Sequence, residues 1–290
     1  MEKSTSKILL DKISIQIPID TIGIDMGQTL TKIALVEEKS LNLLIIPTQT
    51  DFQEIRSFLM SKKGQYNKFI FTGGKAFSLN NEFSNEVESL LLIEFEANSK
   101  GMETLYMLNK NKKLPPSLVV SIGTGTSVVL KKESFQHLGG TALGGGFFMG
   151  LLKLIYNETN YRDAIETAMK GDRYGIDLKV SDIYDDEDNR VDNIFREFTA
   201  ASFGKVEDIK STKKEDLLHS VISLIAENIG MLASFLADKE EVKDIVFCGG
   251  FTIENKILRK AISRICMFQQ KKAIFLKNAE YMGAIGALLS

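Results

Sequence analysis

"TIGIDMGQTLTKIALVEE", residues 21–38, decides the fold. Two apolar runs, "TIGID" and "TLTKIALV", flank a short turn containing Gly27, Gln28 and Thr29. Strand-length apolar segments on either side of a small-residue turn predict a β-hairpin. Its tip also carries chemistry. Small residues let a phosphate approach backbone N–H groups and hydroxyls, Asp25 is suited to hold Mg²⁺ directly or through water, and Lys32 adds a point charge. Taken alone the signal is weak, because glycine turns join strands in every class of protein.

The pattern restarts after Pro115-Pro116. "SLVVSIGTGTSVVLKKE" (117–133) is again apolar strand, small-residue turn and apolar strand, with Gly125 standing where Gly27 stands in the first hairpin. Such a repeat is too long for a solenoid unit and marks a whole lobe. "GGTALGGG" (139–146) then opens a helical segment, and a glycine-preceded helix N-terminus is a natural anion site. "DIVFCGGF" (244–251) and "AIFLKNAEYMGAIGALL" (273–289) add a strand-turn and a strand followed by a small-residue helix. The chain reads as α/β, with an extension at 1–20, a first lobe at 21–116, a second at 117–290, and a ligand cleft expected between them.

Composition narrows the class. The 290 residues are 44% hydrophobic, enough for a large core, and 36 Lys+Arg against 38 Asp+Glu give a formal charge of -2 without a basic stripe. No nucleic-acid partner is expected. No apolar stretch approaches the roughly 18 residues of a membrane span and no signal peptide opens the chain, so a cytoplasmic protein is expected. Two histidines make a histidine-based metal site improbable, and the run "DDEDN" (185–189) lacks the glycine of a calcium loop. Neither a P-loop nor a dinucleotide fingerprint is present: "TGGKAF" lacks the earlier glycine and the hydroxyl, and "GTGTSV" ends in valine. If phosphate is transferred, a base is needed. Glu94, following the apolar run "LLLI", is a candidate, because a carboxylate in apolar surroundings gains affinity for protons; a helix-start acid with local partners is the alternative.

"GIDMGQTLTK", "VVSIGTGTS" and "IVFCGGF" resemble the two phosphate hairpins and the adenosine loop of the sugar kinase, heat-shock chaperone and actin superfamily. "FTGG", "EFEANSKG", "GGTALGGG", "KGDRYGIDLKVSDIY", "ASFGKV" and "EYMGAIGALL" follow in the order found in the type II pantothenate kinases, which the chain resembles from about residue 22 to its end. The resemblance implies two lobes of ribonuclease H-like topology, as in actin-like ATPases, with the nucleotide in the interlobe cleft. It implies ATP- and Mg²⁺-dependent phosphorylation of pantothenate by a cytoplasmic homodimer. Glu94 would be the catalytic base and Asp25 the metal residue. Asp25, Met26, Gly27, Gln28, Thr29, Leu30, Thr31 and Lys32 would form the first phosphate loop, and Thr124 the second. Gly145, Gly146, Phe147, Phe148 and Met149 would line the nucleotide, with Tyr161 and Gly250 near its base. Thr126 and His137 would face the substrate.

Three positions depart from the family pattern: Gln28 replaces a glycine, His137 an arginine and Glu96 an aspartate. Arginine forks onto a carboxylate with a permanent charge and histidine does not, so another cation, such as Arg173, would have to serve. Three other readings share the fold. One is an ATPase activator with an intersubunit iron–sulfur cluster on Cys248 and Cys266. Another is a non-catalytic relative, and the third a kinase of another small hydroxylated substrate such as an amino sugar.

Overall fold

A computed structural model gives the structure of residues 4–10, 15–185, 187–188, 190, 196, 198–208 and 211–290. It divides into two compact units, Met1–Pro115 with Phe275–Ser290, and Pro116–Ile274.

The first unit opens with β1 (Ser4–Leu9), β2 (Thr21–Met26), β3 (Leu30–Glu37) and β4 (Ser40–Pro47). Helix α1 (Gln53–Lys62), β5 (Lys68–Thr72), α2 (Phe77–Phe83), β6 (Glu88–Leu91) and α3 (Glu94–Lys110) follow. The strands form one sheet in the order β1-β4-β3-β2-β5-β6. The extension at 1–20 thus supplies an edge strand, β1, antiparallel to β4. β2 is central, antiparallel to β3 and parallel to β5, which is why "TIGI" is continuously apolar rather than alternating. Ile22, Ile24 and Met26 are packed with Ile55 and Leu59 of α1, Phe69 and Phe71 of β5 and Phe83 of α2.

The second unit begins with β7 (Ser117–Ile122), β8 (Thr126–Lys131), β9 (Phe135–Thr141), α4 (Gly145–Tyr156) and α5 (Tyr161–Ala168). It continues through β10 (Leu178–Lys179), β11 (Thr199–Ala201), α6 (Lys214–Lys239), β12 (Asp244–Cys248), α7 (Lys256–Phe268) and β13 (Lys272–Phe275). Its larger sheet has the order β13-β12-β7-β8-β9, with β12 parallel to β7. That order matches β6-β5-β2-β3-β4, so the repeated hairpin heads the same arrangement twice. Contrary to the sequence expectation, α6 is long and apolar enough to cross a membrane, although 61% of that stretch is buried.

One expected boundary is corrected. The sequence reading gives residues 275–290 to the second lobe, whereas helix α8 (Met282–Leu288) belongs to the first unit. All seven of its residues are buried. Its small side chains are what allow it to lie directly on β2 and α3.

Candidate active site

The first hairpin closes through a hydrogen bond from the Gly27 amide to the Leu30 carbonyl at 3.1 Å. Its register pairs Asp25 with Lys32, so the two side chains emerge on one face. The Lys32 ammonium lies 3.5 Å from Asp25 Oδ2. Asp25 is next to last in the central strand β2 and pairs with Thr72, at the carboxyl end of parallel β5, the edge where ligands bind in α/β sheets. Burial holds the Asp25 carboxyl above the usual carboxylate range, with Lys32 opposing.

Space for that carboxylate comes from two glycines. A Cβ on Gly73, whose φ is +93°, would come within 2.8 Å of Asp25 Oδ1, and one on Gly283 within 2.8 Å of Oδ2. A Cβ on Gly27 would lie 3.0 Å from the Leu30 carbonyl oxygen, so a glycine suits the tight closure of the turn. Gln28 and Thr29 are exposed at the tip, and neither adopts a positive φ. A glutamine at position 28 therefore carries no left-handed backbone strain. Met26 and Thr31 are fully buried, and the Thr31 hydroxyl pairs with that of Thr48 at 2.8 Å. Their side chains belong to the core, and Leu30 is half-buried.

Glu94 is the first residue of α3, where a helix N-terminus favours an acid. It is solvent-accessible, as a base that meets a substrate must be. Desolvation by its surroundings pushes its proton affinity up, Asp25 adds to this, and Lys32 and an Asn98 hydrogen bond oppose it. Two carboxylates and a lysine, drawn from two strands and a helix, thus act on one another within the first unit. The sequence reading singled out all three but had no means of showing that they interact.

The second hairpin closes differently. The Gly123 amide donates to the Gly125 carbonyl at 2.8 Å across Thr124. The start of α4 is docked on this turn: Gly145 and Gly146 donate to the Gly123 and Thr124 carbonyls at 2.8 and 2.9 Å. Two of the N–H groups expected to await an anion are therefore already paired. A Cβ on Gly144 would lie 2.7 Å from the Thr124 carbonyl oxygen, so the "GGG" run is a packing requirement. Phe148 is fully buried, Met149 half-buried and Phe147 exposed. Phe148 instead packs on Phe251, ring centroids 5.5 Å apart, beneath the turn that begins at Gly250. Tyr161 joins them 6.2 Å from Phe251, its hydroxyl shared between the Phe251 and Ile253 carbonyls at 3.3 and 3.4 Å.

The Thr126 hydroxyl donates to the Leu143 carbonyl at 2.8 Å, which fixes the loop before α4. His137 is exposed on β9, its Nε2 3.0 Å from the Ser127 hydroxyl. Arg173 does not act as a spare cation: it is buried, with Nε 2.7 Å from Asp177 and Nη1 2.6 Å from Glu227. Arg173 and Glu227, with Asp172 and Tyr174, line a cavity of about 460 Å³ in the second unit. Cys248 and Cys266 are both buried, the latter's thiol pushed up to about 11 by desolvation, which removes the support for a surface cluster. No group of three metal-ligating side chains occurs among the described residues. Magnesium needs none, since one or two carboxylates with water and phosphate oxygens suffice. The housed Asp25 carboxylate fits that role.

The family model described as Fumble matches residues 46–290. A type II pantothenate kinase of Oceanobacillus iheyensis is 36% identical over 93% of this chain and 98% of its own. One of Bacillus cereus is 35% identical over 93% and 96%. In fold, the chain is similar to a ROK hexokinase from Thermus thermophilus, with a TM-score of 0.54, 11% identity and coverage of 93% and 96%. A ROK family glucokinase from Streptomyces griseus, in complex with glucose and AMPPNP, gives a TM-score of 0.55, 11% identity and coverage of 92% and 97%. The extent of the family match and the identity to curated relatives together establish that the chain belongs to the Fumble family.

Proposed function

We propose that the protein transfers the γ-phosphoryl group of ATP to the primary hydroxyl of pantothenate. The hydroxyl oxygen forms a bond to the γ-phosphorus as its proton passes to Glu94. The bond from that phosphorus to the β–γ bridging oxygen breaks, and ADP leaves. Family membership and near full-length similarity to type II pantothenate kinases support the substrate and the kinase chemistry. The observation that carries the mechanism is Glu94: an accessible carboxylate of raised proton affinity that acts on the Asp25–Lys32 pair. A base works best when its proton affinity approaches the working pH.

Lys32 and the amides at the tip of the first hairpin supply positive charge for phosphates, which is most of what phosphoryl transfer asks of a protein. Asp25 is the residue assigned to Mg²⁺, which supplies further charge neutralisation when bound. A cytoplasmic homodimer completes the reading, on the sequence resemblance.

The test is ADP release from ATP with pantothenate, against pantetheine and amino sugars as comparison substrates. Pantothenate-dependent release is expected; release with an amino sugar alone would overturn the substrate. Glu94→Gln is expected to lower kcat by about 100- to 10,000-fold while ATP still binds. Undiminished turnover in that variant would overturn the base assignment.

A further inference from the structure

We propose that the cavity of about 460 Å³ in the second unit is a binding site for a small phosphorylated molecule, held by Lys256, Lys260 and Arg264 of α7. Its volume lies within the range of small-molecule sites. No residue of either phosphate hairpin lines it, and neither Glu94, Tyr161 nor Gly250 does. Its lining is therefore distinct from that of the candidate active site, and the inference does not rest on the pantothenate reading. The three cations are four residues apart, the spacing that stacks side chains on one helix face. All three are exposed, and none forms an ion pair with a described residue.

Helix stability does not account for this arrangement. Like charges four residues apart repel, and a cation in the first turn opposes the helix dipole. Helices α1, α3, α5 and α6 each carry an acid in the first turn, whereas α7 carries none and begins with Lys256. Lys63 and Lys205, by contrast, are each 2.6 Å from a carboxylate, of Glu86 and Asp182 respectively. The other wall of the cavity cancels little of the charge. The Arg173 guanidinium is matched by Asp177 and Glu227, which leaves Asp172 as the one lining carboxylate outside an ion pair. His219 donates through Nδ1 to the Gly171 carbonyl at 2.8 Å, so Nε2 is the ring nitrogen left for a ligand. Three unpaired cations at a concavity, against one carboxylate, attract an anion of more than one charge, and lysine and arginine are the side chains that bind phosphate. Phe198, Ile257 and Ile265 give the same cavity an apolar side. That combination suits a compact ligand with a carbon body better than an extended polyanion.

The experiment is isothermal titration calorimetry of the full-length protein with pyrophosphate, without divalent cations. It compares wild type with Lys260→Ala/Arg264→Ala, Lys260→Arg and Lys32→Ala. Alanine at exposed helix positions favours the helix, so the double variant should fold. Its affinity for pyrophosphate is expected to be weaker by about tenfold or more, the scale of one hydrogen bond to a charged group. Lys260→Arg should retain binding. The binding event lost in the double variant should persist in Lys32→Ala, which alters only the first hairpin. Absence of pyrophosphate binding to wild type, or equal binding by wild type and the double variant, would overturn the proposal. So would binding lost only in Lys32→Ala, which would place the anion at the first hairpin. Sedimentation velocity of wild type and the double variant should give the same mass. A double variant that dissociates, beside a wild type that binds no pyrophosphate, would make this face a contact between copies of the chain instead.

Discussion

Gly101 on α3 and Gly286 on α8 face one another backbone to backbone. A Cβ on Gly101 would lie 3.0 Å from the Gly286 nitrogen, and one on Gly286 would lie 2.9 Å from the Gly101 nitrogen. Each would also collide with a carbonyl of the opposite helix, Met282 and Ala97 respectively. This crossing brings α8 close enough for Gly283 to reach both Asp25 and Asn98. The surroundings of Asp25 in the first unit are therefore set by a contact between helices that carry no charge of their own at the crossing.

Gly286→Ala and Gly101→Ala should each destabilise the protein by about 1–3 kcal/mol, the usual cost of overpacking where only backbone can move. Urea unfolding measures it. The two share one contact, so the double variant should lose less than the sum; full additivity would argue against a shared crossing.

Asp25→Asn should raise the melting temperature near neutral pH while abolishing or sharply lowering activity. Burial raises the Asp25 carboxyl relative to its unfolded value. The folded state then holds more protons than the unfolded state across the window between those two values, and stability falls as pH rises through it. The advantage of the asparagine variant should shrink as the pH is lowered through the same window. A variant that is less stable than wild type at neutral pH would contradict this.

Gln28→Gly introduces the glycine that the sequence resemblance leads one to expect at this position. Gln28 has no positive φ to relieve, so the substitution should gain nothing in stability and cost about 0.4–1 kcal/mol through added freedom of the unfolded chain. Thermal melts of the two proteins decide the matter, and a higher melting temperature for the glycine variant would show that the position is strained.

Arg173→Met should destabilise by about 3–5 kcal/mol, because it leaves buried carboxylate without its partner. Asp177 is fully buried and also accepts hydrogen bonds from the Ser220 hydroxyl and the Phe203 amide. A variant with native stability but a raised KM for pantothenate would return Arg173 to the substrate-facing role first considered for it.

Much of the active end was written locally and could be read there. Asp25 and Lys32 pair because a hairpin with a tip at residues 27–30 forces that register, and a turn is encoded by adjacent residues. Glu94 stands at a helix start after an apolar run, again a local signal. The twofold hairpin arrangement was equally plain, since each copy is two apolar strand-length runs around a short glycine-containing turn. Other features needed the folded chain. Gly145 and Gly146 looked like an open anion site, and their amides proved to be docked on the 123–125 turn. Arg173 looked like a spare cation, and two buried carboxylates hold it. The sequence by itself determined the strands, their turns and the chemical groups on them, because pattern and propensity act over a few residues. Only the tertiary structure decided that α8 returns to the first unit and sets Asn98 beside Asp25. That depends on backbones approaching where side chains are absent, and an absent side chain leaves no mark in sequence on what will fill its place.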